Sequence, residues 1–408
     1  MDYDLIVIGG GAAGFFGAIT CAETAASRRK ILILEKGPEV LQKVKISGGG
    51  RCNVTHDCHD PGEFVTNYPR GRRTLNGPLH RWSAGDMIDW LSEKGVALKT
   101  EADGRMFPVS DDSQTIIDCF LSTAKQEGIE IRCRQEVADV TFEDDRFCLE
   151  LQSGEVLKSA TLLIATGGIR TPSGAKFAGK FGHSMQEAAP SLFTFKIDDP
   201  RIEDLAGISV PCGIASVTGT KFREQGPILI THWGLSGPGI LKVSAQGARE
   251  LQQMNYHFET VINWIGDRTG EDTAQSLSEL RTESGKQSVF ANPQFSIPMR
   301  LWRRLCEAAG VPVDMKWGNI SRKELHRLID QLTACRFSVT GKSMNKEEFV
   351  TCGGVTLKEV NFKTLESRLQ PGLFFAGEVL DIDGVTGGFN FQSAWTTGRI
   401  AGATIAQR

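Results

Sequence analysis

Apolar and polar positions follow two rhythms along this chain, and the places where the rhythm changes mark its organisation. Residues 4–8 (DLIVI) are a continuous apolar run, the pattern of a strand buried on both faces. GGGAAG follows, then the helix-like FFGAITCAETAA, then KILILE over 30–35 as a second strand. That sequence of signals predicts a β-α-β unit. The next stretch, EKGPEVLQKVKISGGGRCN, reads as a loop. Amphipathic spacing predicts helices over 84–94 and 113–127, and alternating or apolar runs predict strands over 129–151 and 156–165. Near residue 190 the character changes. Turn residues and alternation over 191–233 predict short antiparallel strands, and 236–253 predicts a helix opened by Ser and Pro. VINWIG is strand-like; DTAQSLSELRTES, PMRLWRRLCEAAG and SRKELHRLIDQLTA predict three helices. Around 348 the first character returns, with a strand, a glycine loop and a closing helix. The chain therefore reads as an α/β domain split into residues 1–190 and 346–408. Between them lies an insert, 191–345, expected to be β-rich over 191–255 and 336–345 and helical over 256–335.

Composition narrows the function classes. The 408 residues carry 46 basic and 49 acidic side chains, a net charge of −3, which gives no electrostatic reason to expect nucleic acid or an anionic membrane as partner. No apolar run approaches the length of a membrane helix. The N-terminus enters a strand at once, with no basic or apolar leader, so a cytoplasmic protein is expected. Ten scattered cysteines without a C-x-x-C pair suit reduced thiols in that compartment. Glycine, at 45 residues, is in excess and clustered, as happens where backbone must come close to something.

The first cluster carries chemistry. Gly9, Gly11 and Gly14 fit G-x-G-x-x-G with Ala12 and Ala13 between, directly between a strand and a helix. The first glycine permits the turn, the second lets a pyrophosphate touch backbone, and the third lets helix and strand pack closely. Free N–H groups at the helix start then face the phosphates. Glu35 ends the second strand, where a carboxylate accepts from an adenosine ribose. No second motif of this kind is present, so a separate nicotinamide-binding domain is not expected.

ATGG (165–168) and LFFAGE (373–378) each end a buried strand and resemble strand ends of two-dinucleotide-binding flavoproteins. SGGGRCN (47–53), THWGLSGPG (231–239), TCGGV (351–355) and GEVLDIDGVTGGFNFQSAW (377–395) together resemble one family, the bacterial HI0933-like flavoproteins, which include NAD(P)/FAD-dependent oxidoreductases and aminoacetone oxidases. The resemblance runs from residue 2 to about 404. Cys352 and Cys58 depart from the family pattern. The resemblance implies an α/β, two-dinucleotide-binding (Rossmann-like) FAD domain with a β-rich plus helical insert. It implies FAD as cofactor; with no second dinucleotide motif, electrons would enter by transient docking of NAD(P)H, from the reduced substrate itself or from another protein, and oxidase chemistry with O2 as acceptor stays open. It also implies that Ser47, Gly48, Gly49, Gly50, Arg51, Cys52 and Asn53 run alongside the flavin and its diphosphate, and that Val137 meets the adenine through its backbone. Lys36, Lys43, Ala165, Thr166, Gly167 and Gly377 join the cofactor set, with Glu378 on the ribityl hydroxyls. The helix opening at Gly388, through Phe389, Asn390 and Phe391, would aim its positive end at the flavin's N1–O2 edge.

The implied activity is hydride transfer between flavin N5 and a small organic substrate held between FAD domain and insert, with no residue assigned as catalytic. Two alternatives stand beside it. One is a thiol-disulfide reductase using Cys52 and Cys58; their five-residue spacing differs from the C-x4-C pair of such enzymes. The other is a binding protein that keeps the fold without a working flavin. A metal site from Cys52, His56, Cys58 and His59 is too crowded for structural zinc spacing, so no metal is expected. His232 and Trp233 would cap the flavin, although a structural role is the default for the histidine. Arg72, Arg73 and Arg336 are candidates for a substrate carboxylate, with exposed surface charge as the default. A flavoprotein acting on RNA finds no support in the slightly acidic balance.

Overall fold

The computed structural model describes residues 2–168, 172–343 and 350–408. They fall into two compact units, Met1–Ala189 with Lys346–Arg408, and Pro190–Asn345.

In the first unit β1 (Asp2–Ile8) pairs in parallel with β2 (Ile31–Leu34), Leu5 against Ile31 and Ile8 against Leu34. Between them lies α1 (Ala12–Thr24), buried without a break from Ala13 to Cys21. On its other edge β1 pairs in parallel with β3 (Val156–Ile164). All four residues of β2 are buried, which explains the unbroken apolar run: a parallel strand covered on both faces has no polar side. The stretch read as a loop after Glu35 contains a short helical piece from Gln42. It breaks at Ser47 (ψ 151°), and Gly48, Gly49 and Gly50 follow with φ of 58°, 71° and 86°. A right-handed helix cannot pass through three such residues, and only glycine adopts them cheaply.

The second unit is built on a seven-stranded sheet. Its order is Cys335–Val339, Phe258–Asn263, Ser209–Val217, Arg223–Thr231, Gly234–Ser236, Thr194–Lys196, Gly341–Ser343. Phe258–Asn263 lies inside the stretch expected to be helical; its period-two burial places it in the sheet, and helix begins only at Gly270. Two later helices matter below. In α2 (Met299–Ala308) the residues Leu301, Trp302, Leu305 and Cys306 are buried, and in α3 (Arg322–Thr333) Leu325, Leu328, Ile329 and Leu332 are. Ser321 and Glu324 form a capping box that starts α3. Their opposite faces are basic: residues 300–327 hold seven Arg and Lys against three Asp and Glu, a net of +4 in a chain of net −3.

The chain then returns to the first unit. There β4 (Leu373–Phe375) pairs in parallel with β3, giving the order β4-β3-β1-β2. The closing helix, α4 (Phe389–Ala406), lies along α1 at glycine distance. A Cβ on Gly398 would meet the Ala13 carbonyl oxygen at 2.6 Å, and one on Gly402 would meet that of Gly17 at 2.2 Å. Numbers rise together on both helices, so they run in the same direction and both N-termini point the same way. Among the described residues no helix is long and apolar enough to cross a membrane.

Candidate functional site

The three motif glycines have separable reasons. Gly9 has φ 113°, and a Cβ there would meet the Ala165 carbonyl oxygen at 2.3 Å. A Cβ on Gly14 would meet the Gly9 carbonyl oxygen at 2.1 Å. Both are required by the fold itself. Gly11 is different: its φ is an ordinary −94°, and a Cβ would meet nothing within 4 Å. Neither backbone nor packing asks for glycine there, so the open space in front of it is the feature to be explained. Open space of that kind would admit a pyrophosphate against the backbone. The helix behind it starts without a side-chain cap and without an acidic residue in its first turn, as an anion-binding helix start requires.

Glu35 is held in place by two backbone donors. Its Oε2 accepts from Gly10 N–H (2.9 Å) and its Oε1 from Gly37 N–H (2.7 Å), leaving further lone pairs on each oxygen. Gln135 N–H donates to the Glu35 carbonyl (2.9 Å), which brings the strand start at Val137 beside this strand end. Lys36 is exposed. Lys43 pairs with Glu378, whose Oε1 also accepts from Thr351 N–H at 2.7 Å. Glu378 is therefore positioned by two partners rather than open on all sides. Among the described residues a Cβ on Gly167 would touch only Glu378, at 3.9 Å, and the buried hydroxyl of Thr166 has no hydrogen-bond partner. Gly377 N–H donates to Thr397 Oγ1 (2.9 Å), and a Cβ there would strike Ala13.

The glycine-rich loop docks on the start of α4. With its amide oriented to satisfy both ends, Asn53 accepts from Gly388 N–H (3.0 Å) and donates to the Thr55 carbonyl (3.1 Å). Thr55 Oγ1 donates to Gln392 (2.8 Å), Trp395 Nε1 donates to the Val54 carbonyl (3.0 Å), and His56 Nδ1–H donates to the Gly387 carbonyl (3.0 Å). A Cβ on Gly388 would meet the Thr55 carbonyl oxygen at 2.4 Å. Space beside Gly49 and Gly50 is open for 4 Å around the ideal Cβ. Helix α4 itself starts without a side-chain cap or an acidic first turn, so no side chain of its own offsets the positive end of its dipole. Phe389 is buried against His56 (4.7 Å, stacked), Phe64 and Tyr68, and Asn390 ties back to Gly384 through its Oδ1 (2.8 Å) and Nδ2 (2.9 Å). Phe391, half-buried, stacks on Trp395.

Several expectations change here. The Arg51 guanidinium pairs with Glu101 (2.6 Å) and Asp111 (3.5 Å) and lies over the Phe107 ring, so its charge is already used within the fold. Cys52 and Cys58 are both free thiols. Cys52 is fully buried, and burial pushes its thiol up to about 12, with the Ser47 hydroxyl pulling weakly the other way. A sealed, protonated thiol does not attack a disulfide, and the thiol-disulfide reductase reading fails on that ground. His232 and Trp233 are exposed at a hairpin tip, Arg72 and Arg73 are exposed, and Arg336 pairs with Glu259. Cys352 is buried. Arg70 and Asp383 form a pair that no local sequence pattern singles out. Burial opposes the Arg70 charge, yet the bidentate Asp383 carboxylate, itself fully buried, holds its pKa above the ordinary value. The Tyr68 hydroxyl donates to the Phe389 carbonyl at 2.6 Å. Nothing in local sequence marks these contacts, because each joins segments more than 300 residues apart.

The donor set suits FAD: an open-faced glycine at one helix start, a braced carboxylate at the second strand end, and a second uncapped helix start beside a glycine loop. In sequence, the HI0933-like protein Rossmann domain family matches residues 3–404. The chain belongs to the HI0933-like family. Among its HI0933-like relatives is ribosomal RNA dihydrouridine synthase of Escherichia coli (strain K12), 32% identical over 97% of this chain and 96% of that protein. Another is 3-dehydro-bile acid delta(4,6)-reductase of Clostridium scindens, 24% identical over 98% of each. The solved structure of 3-ketosteroid-delta4-(5alpha)-dehydrogenase from Rhodococcus jostii RHA1 shares the fold, with TM-score 0.54 and 14% identity over 100% of this chain and 97% of that one. Like its relatives, this HI0933-like protein is an FAD-dependent oxidoreductase.

Proposed function

We propose that this flavoprotein reduces a carbon–carbon double bond conjugated to a carbonyl, and that the bond is the C5=C6 of uracil in ribosomal RNA. The observation that carries the reading is the end-to-end similarity to a ribosomal RNA dihydrouridine synthase, 32% identical with almost no part of either chain left over. The bile acid reductase supports the bond class: its name too describes reduction of double bonds in conjugation with an oxidised carbon. Uracil C6 is the β-carbon of an enone-like system, so hydride adds at C6 and C5 takes a proton, which yields dihydrouridine. Bound FAD, once reduced, supplies that hydride.

The chain's own residues would do the rest. Gly11 and the uncapped start of α1 bind the diphosphate, and Glu35 takes the ribose. The uncapped start of α4 sets a positive dipole end beside the negative charge of the reduced cofactor, which Asn53 keeps in register by holding Gly388. NADH or NADPH, docking transiently, is the proposed electron source. The exclusion of nucleic acid drawn from net charge is withdrawn in this reading, since an average over the whole chain is blind to where the charges lie. The small organic substrate becomes one base of a large one.

The test is direct. Holoprotein, NADPH and ribosomal RNA transcribed without modifications are incubated, and the RNA is digested to nucleosides for mass spectrometry. Dihydrouridine should form only when all three are present. If no dihydrouridine forms while the same holoprotein reduces a conjugated steroid ketone, the RNA substrate is wrong and the bond class stands.

A further inference from the structure

We propose that the solvent face of α2, α3 and the segment joining them is the docking surface for the phosphate backbone of the RNA. This rests on the RNA reading above and names the surface that reading requires. Of the seven cations in 300–327, Arg303, Lys316, Arg322, Lys323 and Arg327 make no side-chain hydrogen bond and no ion pair among the described residues, and all five are exposed. Cations elsewhere are commonly engaged, as Arg105, Arg132 and Arg201 are with neighbouring carboxylates. The five lie on the exposed side of this helix pair and of the segment joining them. Lys316 leads through the turn Trp317–Asn319 into the Ser321 cap, Arg322 and Lys323. Arg327, one turn further along α3, lies against Gly310 just beyond the end of α2, within 3.3 Å of where a Cβ there would sit. Arg303 lies on the exposed face of α2.

This arrangement works against the fold that carries it. Arg322 and Lys323 occupy the first two positions of α3, where the helix dipole disfavours positive charge. Lys323 and Arg327 are like charges four apart, which repel on a helix surface. Beneath them lies a packed core: Trp302 and Trp317 are fully buried, and Trp302 Nε1 donates to the Val289 carbonyl at 2.7 Å. A set of unpaired cations over a packed core suits a partner that brings its own anions at regular spacing. Guanidinium groups match phosphate oxygens in fork geometry, and the release of counterions from the nucleic acid drives the contact.

The experiment uses full-length holoprotein and a fluorescein-labelled fragment of unmodified ribosomal RNA, with affinity followed by anisotropy between about 50 and about 200 mM KCl. In the variant carrying R303Q, R322Q, K323Q and R327Q, affinity should fall on the order of tenfold or more, and the slope of log affinity against log salt should flatten by about 3. A second variant with R303K, R322K and R327K should keep most of the slope. Wild-type protein crosslinked to the fragment by ultraviolet light should yield RNA-bearing peptides from 299–327, a readout independent of any variant's folding. Unchanged affinity and slope in the glutamine variant, or crosslinks only elsewhere, would overturn this surface while dihydrouridine formation by the wild type left the function intact. A wild type that neither binds the fragment nor modifies it would remove both.

Discussion

Gly11 and Gly14 stand three residues apart in one motif and fail in opposite ways when a methyl group is added. Gly14→Ala places a Cβ 2.1 Å from a backbone oxygen, so it should cost about 1–3 kcal/mol of stability with or without cofactor. Gly11→Ala meets nothing among the described residues, so the apoprotein should melt within about 0.5 kcal/mol of wild type. Its FAD affinity, read by titrating apoprotein, should drop on the order of tenfold or more. Equal affinity would mean that the open space is not the diphosphate site. Cysteine chemistry gives a second residue-scale test. Cys52, its thiol pushed up to about 12 by burial, should resist iodoacetamide at neutral pH in the native protein, while exposed Cys212 reacts; mass spectrometry of the peptides distinguishes them. The buried His183 gives a pH test. Burial lowers its pKa despite Glu359 at 3.3 Å, so the folded state prefers the neutral ring. Its sign is fixed by that direction: stability is intact above the ordinary histidine pKa of about 6.5 and is lost as pH falls through it. Urea midpoints at descending pH should show the loss, and His183→Asn should flatten it.

Local elements are more legible in this sequence than the contacts between them. The apolar run of β1, the motif glycines and the amphipathic stripes of the insert helices are written within short windows, where side-chain period and turn chemistry act. The stretch 47–53 reads as a glycine loop for the same reason. What holds that loop, Asn53 on Gly388 and His56 on Gly387, joins segments distant in sequence, and no local pattern encodes it. The Arg70–Asp383 pair is the clearest omission: two charged residues that look like surface are buried against each other beside the start of α4. Asp383→Ala leaves the guanidinium without its carboxylate and should cost about 3–5 kcal/mol in chemical denaturation. A cost under about 1 kcal/mol would mean that the pair is solvated and does not fasten the loop to the helix. The strand-like VINWIG (261–266) overlaps the strand at Phe258–Asn263 only in part, since a short alternation beside three helices does not fix its own ends until the sheet supplies its partners.

At the scale of the whole molecule, averages mislead. A net charge of −3 argued against nucleic acid, while residues 300–327, which cover parts of two helices and the segment joining them, carry a net of +4. The fold places the cofactor machinery in one unit and this charge in the other, a division the sequence shows as a change of rhythm near residue 190 but does not interpret. The central claim is that electrons stored on the bound FAD pass to a conjugated double bond in RNA. One measurement addresses it most directly: holoprotein is reduced anaerobically, mixed with unmodified ribosomal RNA in the absence of any other acceptor, and followed by flavin absorbance. The account predicts that the oxidised spectrum returns, with dihydrouridine appearing in proportion. A flavin that stays reduced in the presence of RNA, yet reoxidises on admission of oxygen, would contradict it.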